Sequence, residues 1–263
     1  MSAHAVLVYG VTGYTGRLVS QALAARGIPQ IAAGRRRAAV EAWARTVAAE
    51  SRVFALNAPD LSGVAAVLNC AGPFARTAEP LVREALRAGV HYLDLAGEVA
   101  EHEVVQAYDR EALARGVMLM PGVGLGVVPT ECAAALAVEK LPSARRLRIA
   151  YQTLGVASRG TLETVLAGLP TTGVVRRGGV LTPSSFGEQV LDVDFGDGPV
   201  RVATNPFRAD LLSAFVTTGV PEIAIAARMP EAKAGFQAPS QVFGSGLLAS
   251  LLTDAGESID MSC

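Results

Sequence analysis

Short apolar runs alternate with segments of helical spacing through the first half of the chain. The runs at residues 5–9, 30–33, 52–56, 65–69, 92–95 and 117–120 have the length and continuity of strands buried on both faces. Between them, residues 80–88 and 104–115 carry apolar side chains three and four apart, and Gly89 and Gly116 stand where helices stop. That rhythm predicts a doubly wound parallel sheet of the α/β class. After about residue 129 the pattern changes. A helical segment at 131–139, opened by Thr130 as its cap, precedes strand-like pieces at 147–153, 173–180, 189–195 and 200–203, with turn signals at Gly178-Gly179 and Gly196-Asp197-Gly198. Apolar and polar positions alternate there, so each strand has one face to bury, which predicts a second, α+β domain with a mostly antiparallel sheet. The expected division is residues 1–128, residues 129–235 and a short tail, 236–263, packing back on the first sheet.

The first strand runs straight into Gly10-Val11-Thr12-Gly13-Tyr14-Thr15-Gly16, and a helical stripe of Leu18, Val19, Ala22 and Leu23 follows. A strand, a glycine-rich turn and a helix start together form a dinucleotide site, a Rossmann opening. Glycine lets the backbone approach a pyrophosphate, and the free amides of the first helical turn supply donors at a positive dipole end. The spacing is GxxGxxG, looser than GxGxxG, so its weight comes from the strand and helix around it. NAD enzymes place a carboxylate about 20 residues further on, to accept from the ribose 2′-hydroxyl. This chain has Arg35-Arg36-Arg37 there instead. Guanidinium forks match a 2′-phosphate, so Arg35 and Arg36 predict NADP(H).

Other candidates gather at strand ends on the same side of the expected sheet. Asn69, Cys70, Ala71, Gly72, Pro73 and Phe74 follow the fourth strand and are expected to form a shelf under the nicotinamide ribose and pyrophosphate. Gly122, in the glycine-rich stretch 121–126, is expected beside the nicotinamide. Asp94 and Glu98 can face one crevice, to relay a proton or bind a substrate amine; a structural carboxylate bonded to its own turn is the competing reading. His91 and Tyr92 begin their strand and are expected at its opposite end. Arg159 is the second-domain candidate for holding an anionic substrate group or closing on the cofactor, with a solvated surface charge as the competing reading. Cys70 has no histidine-based activation motif near it and reads as a packed side chain.

Composition narrows the partners. Acidic and basic residues nearly balance at a net charge of −1, and aromatics are 5% of the chain, too few for a base-stacking platform. No nucleic-acid partner is expected. The three cysteines lack CxxC or zinc spacing, which predicts no metal site and a reducing, cytoplasmic setting. With no signal pattern and no apolar run of spanning length, no membrane partner is expected either.

Four motifs in order carry a family resemblance: Gly10 to Gly16, Leu68-Asn69-Cys70-Ala71-Gly72-Pro73-Phe74, His91-Tyr92-Leu93-Asp94-Leu95-Ala96-Gly97-Glu98, and Pro121-Gly122-Val123-Gly124 through Val128-Pro129-Thr130. With Ser158-Arg159-Gly160-Thr161 and Thr217-Thr218-Gly219-Val220-Pro221, the chain resembles the saccharopine dehydrogenase-like oxidoreductases, particularly bacterial members related to trans-acting enoyl reductases. The resemblance implies an NAD(P)-binding Rossmann domain, a second domain closing over the nicotinamide, and a homodimer. It departs at Gly124-Leu125-Gly126, where the family often reads Gly-Phe-Asp, and in a tail shorter than is common in the family. The function expected is an NADP(H)-dependent oxidoreductase acting on a C=N, C–N or C=C bond of a small-molecule substrate. No Tyr-x-x-x-Lys pair is present for short-chain carbonyl reduction. A non-catalytic NADP(H)-binding sensor or a degenerate family member is the alternative.

Overall fold

The computed structural model describes residues 5–152, 173–228, 248–252 and 258–262. The chain forms two compact units, Met1–Gly126 and Val127–Cys263. In the first, β1 (Val6–Tyr9), β2 (Gln30–Gly34), β3 (Glu50–Val53), β4 (Ala66–Asn69), β5 (His91–Asp94) and β6 (Leu119–Met120) form one sheet in the order β3-β2-β1-β4-β5-β6. All five pairings are parallel. The connecting helices are α1 (Tyr14–Ala25), α2 (Arg37–Thr46), α3 (Phe74–Ala88), α4 (Val99–Gln106) and α5 (Asp109–Arg115). Alternate side chains feed two cores. Leu7, Val67 and Tyr92 pack with Leu81, Val82 and Ala85 of α3, whereas Val8 and Ala32 on the other face pack with Val40 and Ala44 of α2. The strand order reverses between β1 and β4, and in open sheets of this kind ligands bind beyond the carboxyl ends at that point.

Two helices differ from their sequence expectation. The segment expected at 80–88 begins at Phe74 and carries Pro80 inside it, because Thr77 and Ala78 are buried and their packing extends the helix toward its start. The segment expected at 104–115 is two helices. Tyr108 interrupts it and turns its hydroxyl to α3, donating to Glu79 Oε1 at 2.9 Å and accepting from Arg83 Nε at 3.0 Å.

The second unit holds α6 (Val128–Lys140), β7 (Arg146–Gln152), β8 (Gly173–Arg177), β9 (Val180–Ser184), β10 (Val190–Asp194), β11 (Pro199–Thr204), α7 (Asp210–Thr218), β12 (Glu222–Arg228), β13 (Leu248–Leu252) and β14 (Ser258–Ser262). Its sheet runs β10-β11-β12-β7-β13-β14, with β8 joining β12 and β9. The described pairings are antiparallel except the central one, where β12 lies parallel to β7 with Ile225 opposite Ile149. The helix α6 starts at Val128, so Thr130 sits inside the first turn, its hydroxyl donating to the Val127 carbonyl at 2.7 Å, and is not the cap. The tail contributes to the second sheet. Its strand β13 pairs with β7, Leu251 opposite Ile149, and so completes an otherwise open strand edge of the second sheet. No helix among the described residues is long and apolar enough to cross a membrane.

Candidate dinucleotide site

The turn after β1 is shaped by two glycines that the fold itself requires. Gly10 has φ +84°, and a Cβ there would come within 2.8 Å of the Ala71 backbone nitrogen. A Cβ on Gly16 would land on the Gly10 carbonyl, so its bare backbone lets α1 seat on the turn. Gly13 is different. It is exposed at the N-cap of α1, and the nearest atom to a Cβ there is the Gly10 carbonyl oxygen at 3.3 Å. The first turn of α1 contains Tyr14 and Thr15, both exposed, no acidic side chain and no side-chain cap. An uncapped helix start behind an open glycine is a cradle for an anion, and it fits a pyrophosphate.

Arginines stand at the tip of β2 as expected. Arg36 is the N-cap of α2, and its Nη2 donates to Thr12 Oγ1 at 3.0 Å, tying the β2 tip to the glycine turn. Arg35 is exposed beside it, whereas Arg37 pairs with Glu41 at 3.2 Å. No carboxylate lies at this tip among residues 34–38.

Behind the turn runs a buried polar chain across three strand ends. Asn69 Oδ1 accepts from the Ala71 amide at 3.0 Å, and its Nδ2 donates to Thr77 Oγ1 at 3.0 Å and to the Tyr92 hydroxyl at 3.3 Å. Thr77 donates to the Ala71 carbonyl at 2.7 Å, so the 70–73 turn is held from both sides; its Gly72–Pro73 peptide is cis. The Tyr92 hydroxyl donates to Asp94 Oδ2 at 2.8 Å, while Asp94 Oδ1 accepts from the amides of Ala96 and Gly122, both at 2.9 Å. Burial, and then the Asp94 charge, push the Tyr92 hydroxyl far above the usual tyrosine range, so it stays a donor. Tyr92 therefore reaches the carboxyl ends of the strands, unlike its expected place at the base. Residues two apart share a strand face, and the ring spans that step. His91 does stay at the base, its Nδ1 accepting from the Met118 amide at 3.0 Å.

The expected acids separate by environment. Asp94 is 0% exposed with three donors on its oxygens, the arrangement of a brace between the ends of β5 and β6 and not of a proton carrier touching substrate. Glu98 is half-buried at the N-cap of α4, with Oε2 accepting from the Gly97 amide at 2.9 Å. Next to it stands Glu101, which the sequence reading passed over. Burial first, and then the Glu98 carboxylate, hold Glu101 above the usual glutamate range. His102 was also passed over; its buried Nε2 lies 3.1 Å from the Ala96 carbonyl and pins the same loop. Burial, and then Asp94, push the Cys70 thiol up to about 12, so it packs as a neutral side chain. Pro73 is the N-cap of α3 and Phe74 its first residue, both half-buried. Arg159 lies outside the described residues.

In the second unit, α6 and α7 share a polar seam. Glu131 accepts from the Ser213 and Thr217 hydroxyls at 2.8 Å each, and Asp210 takes Arg208 Nη2 at 3.2 Å and the Thr130 hydroxyl. Burial raises Glu131 above its ordinary range more strongly than the two hydroxyls lower it. The folded state thus holds this proton more tightly than the unfolded chain. Its contribution is full below the ordinary glutamate pKa and is lost as pH rises through the raised one. Glu131→Gln should therefore raise the Tm by about 1–2 °C near pH 7.5 and by less near pH 4. An equal effect in thermal scans at both pH values would show that burial does not raise Glu131 above its ordinary range.

No protein-family model matches the chain. Its sequence is 26% identical over 151 residues to a human saccharopine dehydrogenase-like oxidoreductase, a match covering 48% of this chain and 35% of that protein. It is 30% identical over 139 residues to a Mycobacterium tuberculosis protein named as a trans-acting enoyl reductase, covering 48% of this chain and 33% of the relative. The match thus spans about a third of the curated relatives' length. In fold the chain is similar to saccharopine dehydrogenase from Saccharomyces cerevisiae, with TM-score 0.61 at 16% identity over 85% of this chain and 54% of that one. It is also similar to GenD2 from gentamicin A biosynthesis, solved with NAD, with TM-score 0.54 at 14% identity over 100% of this chain and 73% of the other. The relatives carry the names of an oxidoreductase and a reductase, and the chain shares the fold of the yeast dehydrogenase and of the NAD-bound GenD2.

Proposed function

We propose that this chain is an NADP(H)-dependent oxidoreductase acting on a C=N, C–N or C=C bond of a small metabolite. The observation that carries the reading is the exposed Gly13 turn before an uncapped α1, with Arg36 bridged to Thr12 and no carboxylate at the β2 tip. The glycine turn and the first amides of α1 would hold the pyrophosphate, and Arg35 and Arg36 the 2′-phosphate. The bound cofactor supplies the hydride. The chain's own part is positional. Asn69 and Thr77 set the 70–73 turn, and Asp94 and Tyr92 set Gly122. Glu98, with Glu101 beside it, is the proton source this reading assigns in the first unit, and Arg159 is its candidate for an anionic substrate group. A homodimer belongs to the same proposal.

The enclosed Asp94 favours a second reading, a cofactor-binding sensor without turnover, because it removes one of the two expected acids from reach of a substrate. A metabolite screen separates the two by whether bound NADPH is oxidised. For the cofactor itself, calorimetric titration should give at least tenfold tighter NADPH than NADH binding, about 1.4 kcal/mol. Arg35→Asp should narrow or reverse that gap. Equal affinities in the unmodified chain would overturn the NADP(H) assignment.

A further inference from the structure

The second unit carries a charged cavity of about 80 Å³ where β7, β8, β9 and β12 meet. Among the described residues, Arg146, Arg148, Arg176 and Arg177 line it together with the carboxylates Glu188 and Glu222. Each glutamate is already engaged. Glu188 takes Arg177 Nη2 at 2.5 Å, and Glu222 accepts from the Gly178 amide at 2.5 Å. Arg176 is anchored too: it donates to the carbonyls of Leu211 at 3.0 Å and Gly179 at 2.6 Å, and lies over the Phe215 ring. Arg148 is the exception. Half-buried, two positions from Arg146 on the same strand face, it makes no side-chain hydrogen bond or ion pair among the described residues.

A partly desolvated guanidinium in a concave site with excess positive charge is a binding group without its ligand. The volume is several times the roughly 10–15 Å³ that holds one water and suits a compact oxyanion. We propose that this cavity binds a phosphate group, with the Arg148 fork as its principal donor and the neighbouring arginines providing the field. Arg148 and Arg176, neither of them in an ion pair with a described carboxylate, suit a dianion better than a single carboxylate does. The site lies in the second unit, whereas the glycine turn lies in the first, so it would be a separate phosphate site with its own ligand.

Inorganic phosphate is the probe, titrated into the full chain by calorimetry against chloride at matched ionic strength. Binding should weaken at least about tenfold in Arg148→Gln, weaken less in Arg148→Lys, and persist in Arg36→Gln, which alters only the first unit. Soaking a crystal of the unmodified chain in phosphate locates the anion without any variant, and density at Arg148 is expected. Undiminished binding in Arg148→Gln, or density confined to the glycine turn, overturns the site. So does a fall from dimer to monomer in sedimentation of Arg148→Gln, because Arg148 would then answer a second copy of the chain.

Discussion

Gly13→Val should abolish NADPH binding in a chain that still folds, with affinity falling at least about 100-fold, or about 2.8 kcal/mol. At Gly13 the backbone is extended, φ −78° and ψ 169°, which valine adopts readily, and the side chain would project where the pyrophosphate must approach. Its neighbour responds in the opposite way. Gly10→Ala meets the Ala71 backbone at 2.8–2.9 Å and forces φ +84° on a residue with a Cβ, so it should lower stability by roughly 2–3 kcal/mol. Calorimetry with NADPH and thermal unfolding of both variants check the pair. A folded Gly13→Val that binds NADPH normally would reduce the turn to a structural feature.

Asp94→Ala should destabilise the first unit by about 3 kcal/mol or more, because three buried donors, the Tyr92 hydroxyl and the Ala96 and Gly122 amides, lose their acceptor together. Asp94→Asn should cost less. Its carbonyl can still serve the two amides, but its amide group then faces a hydroxyl that already accepts from Asn69. Denaturant titration reads both losses. A cost under about 1 kcal/mol for the alanine variant would mean that water replaces the carboxylate without strain, and the bracing role would fail.

The first unit was largely legible because its signals are local. Continuous apolar strands, a glycine turn and the absent acid at the β2 tip each occupy a few adjacent residues. What escaped there depends on reach across strands. Tyr92 was placed at the strand base by its sequence position, yet its length carries the hydroxyl to Asp94 and Asn69. Glu101 and His102 gain their interest from neighbours that only the fold brings close. In the second unit α7 and β12 went unread. The strand Glu222–Arg228 is rich in alanine and weak in strand preference, so its identity comes from pairing with β7 and β11. The tail was expected on the first sheet by family resemblance alone, and no local feature of residues 248–252 names a partner strand.

The parallel pairing of β7 with β12 sets a timetable for the chain's birth on the ribosome. The first unit can close its sheet once residue 120 has emerged, since all six of its strands are then available. The second cannot, because β7 must wait for residues 222–228, an interval on the order of ten seconds at typical translation rates. Throughout it, the buried positions Leu147, Ile149 and Ala150 belong to a strand with no central partner, the condition under which nascent chains join edge to edge. Arg145, Arg146 and Arg148 flank and interrupt that apolar stretch, and charges so placed act as gatekeepers against such joining.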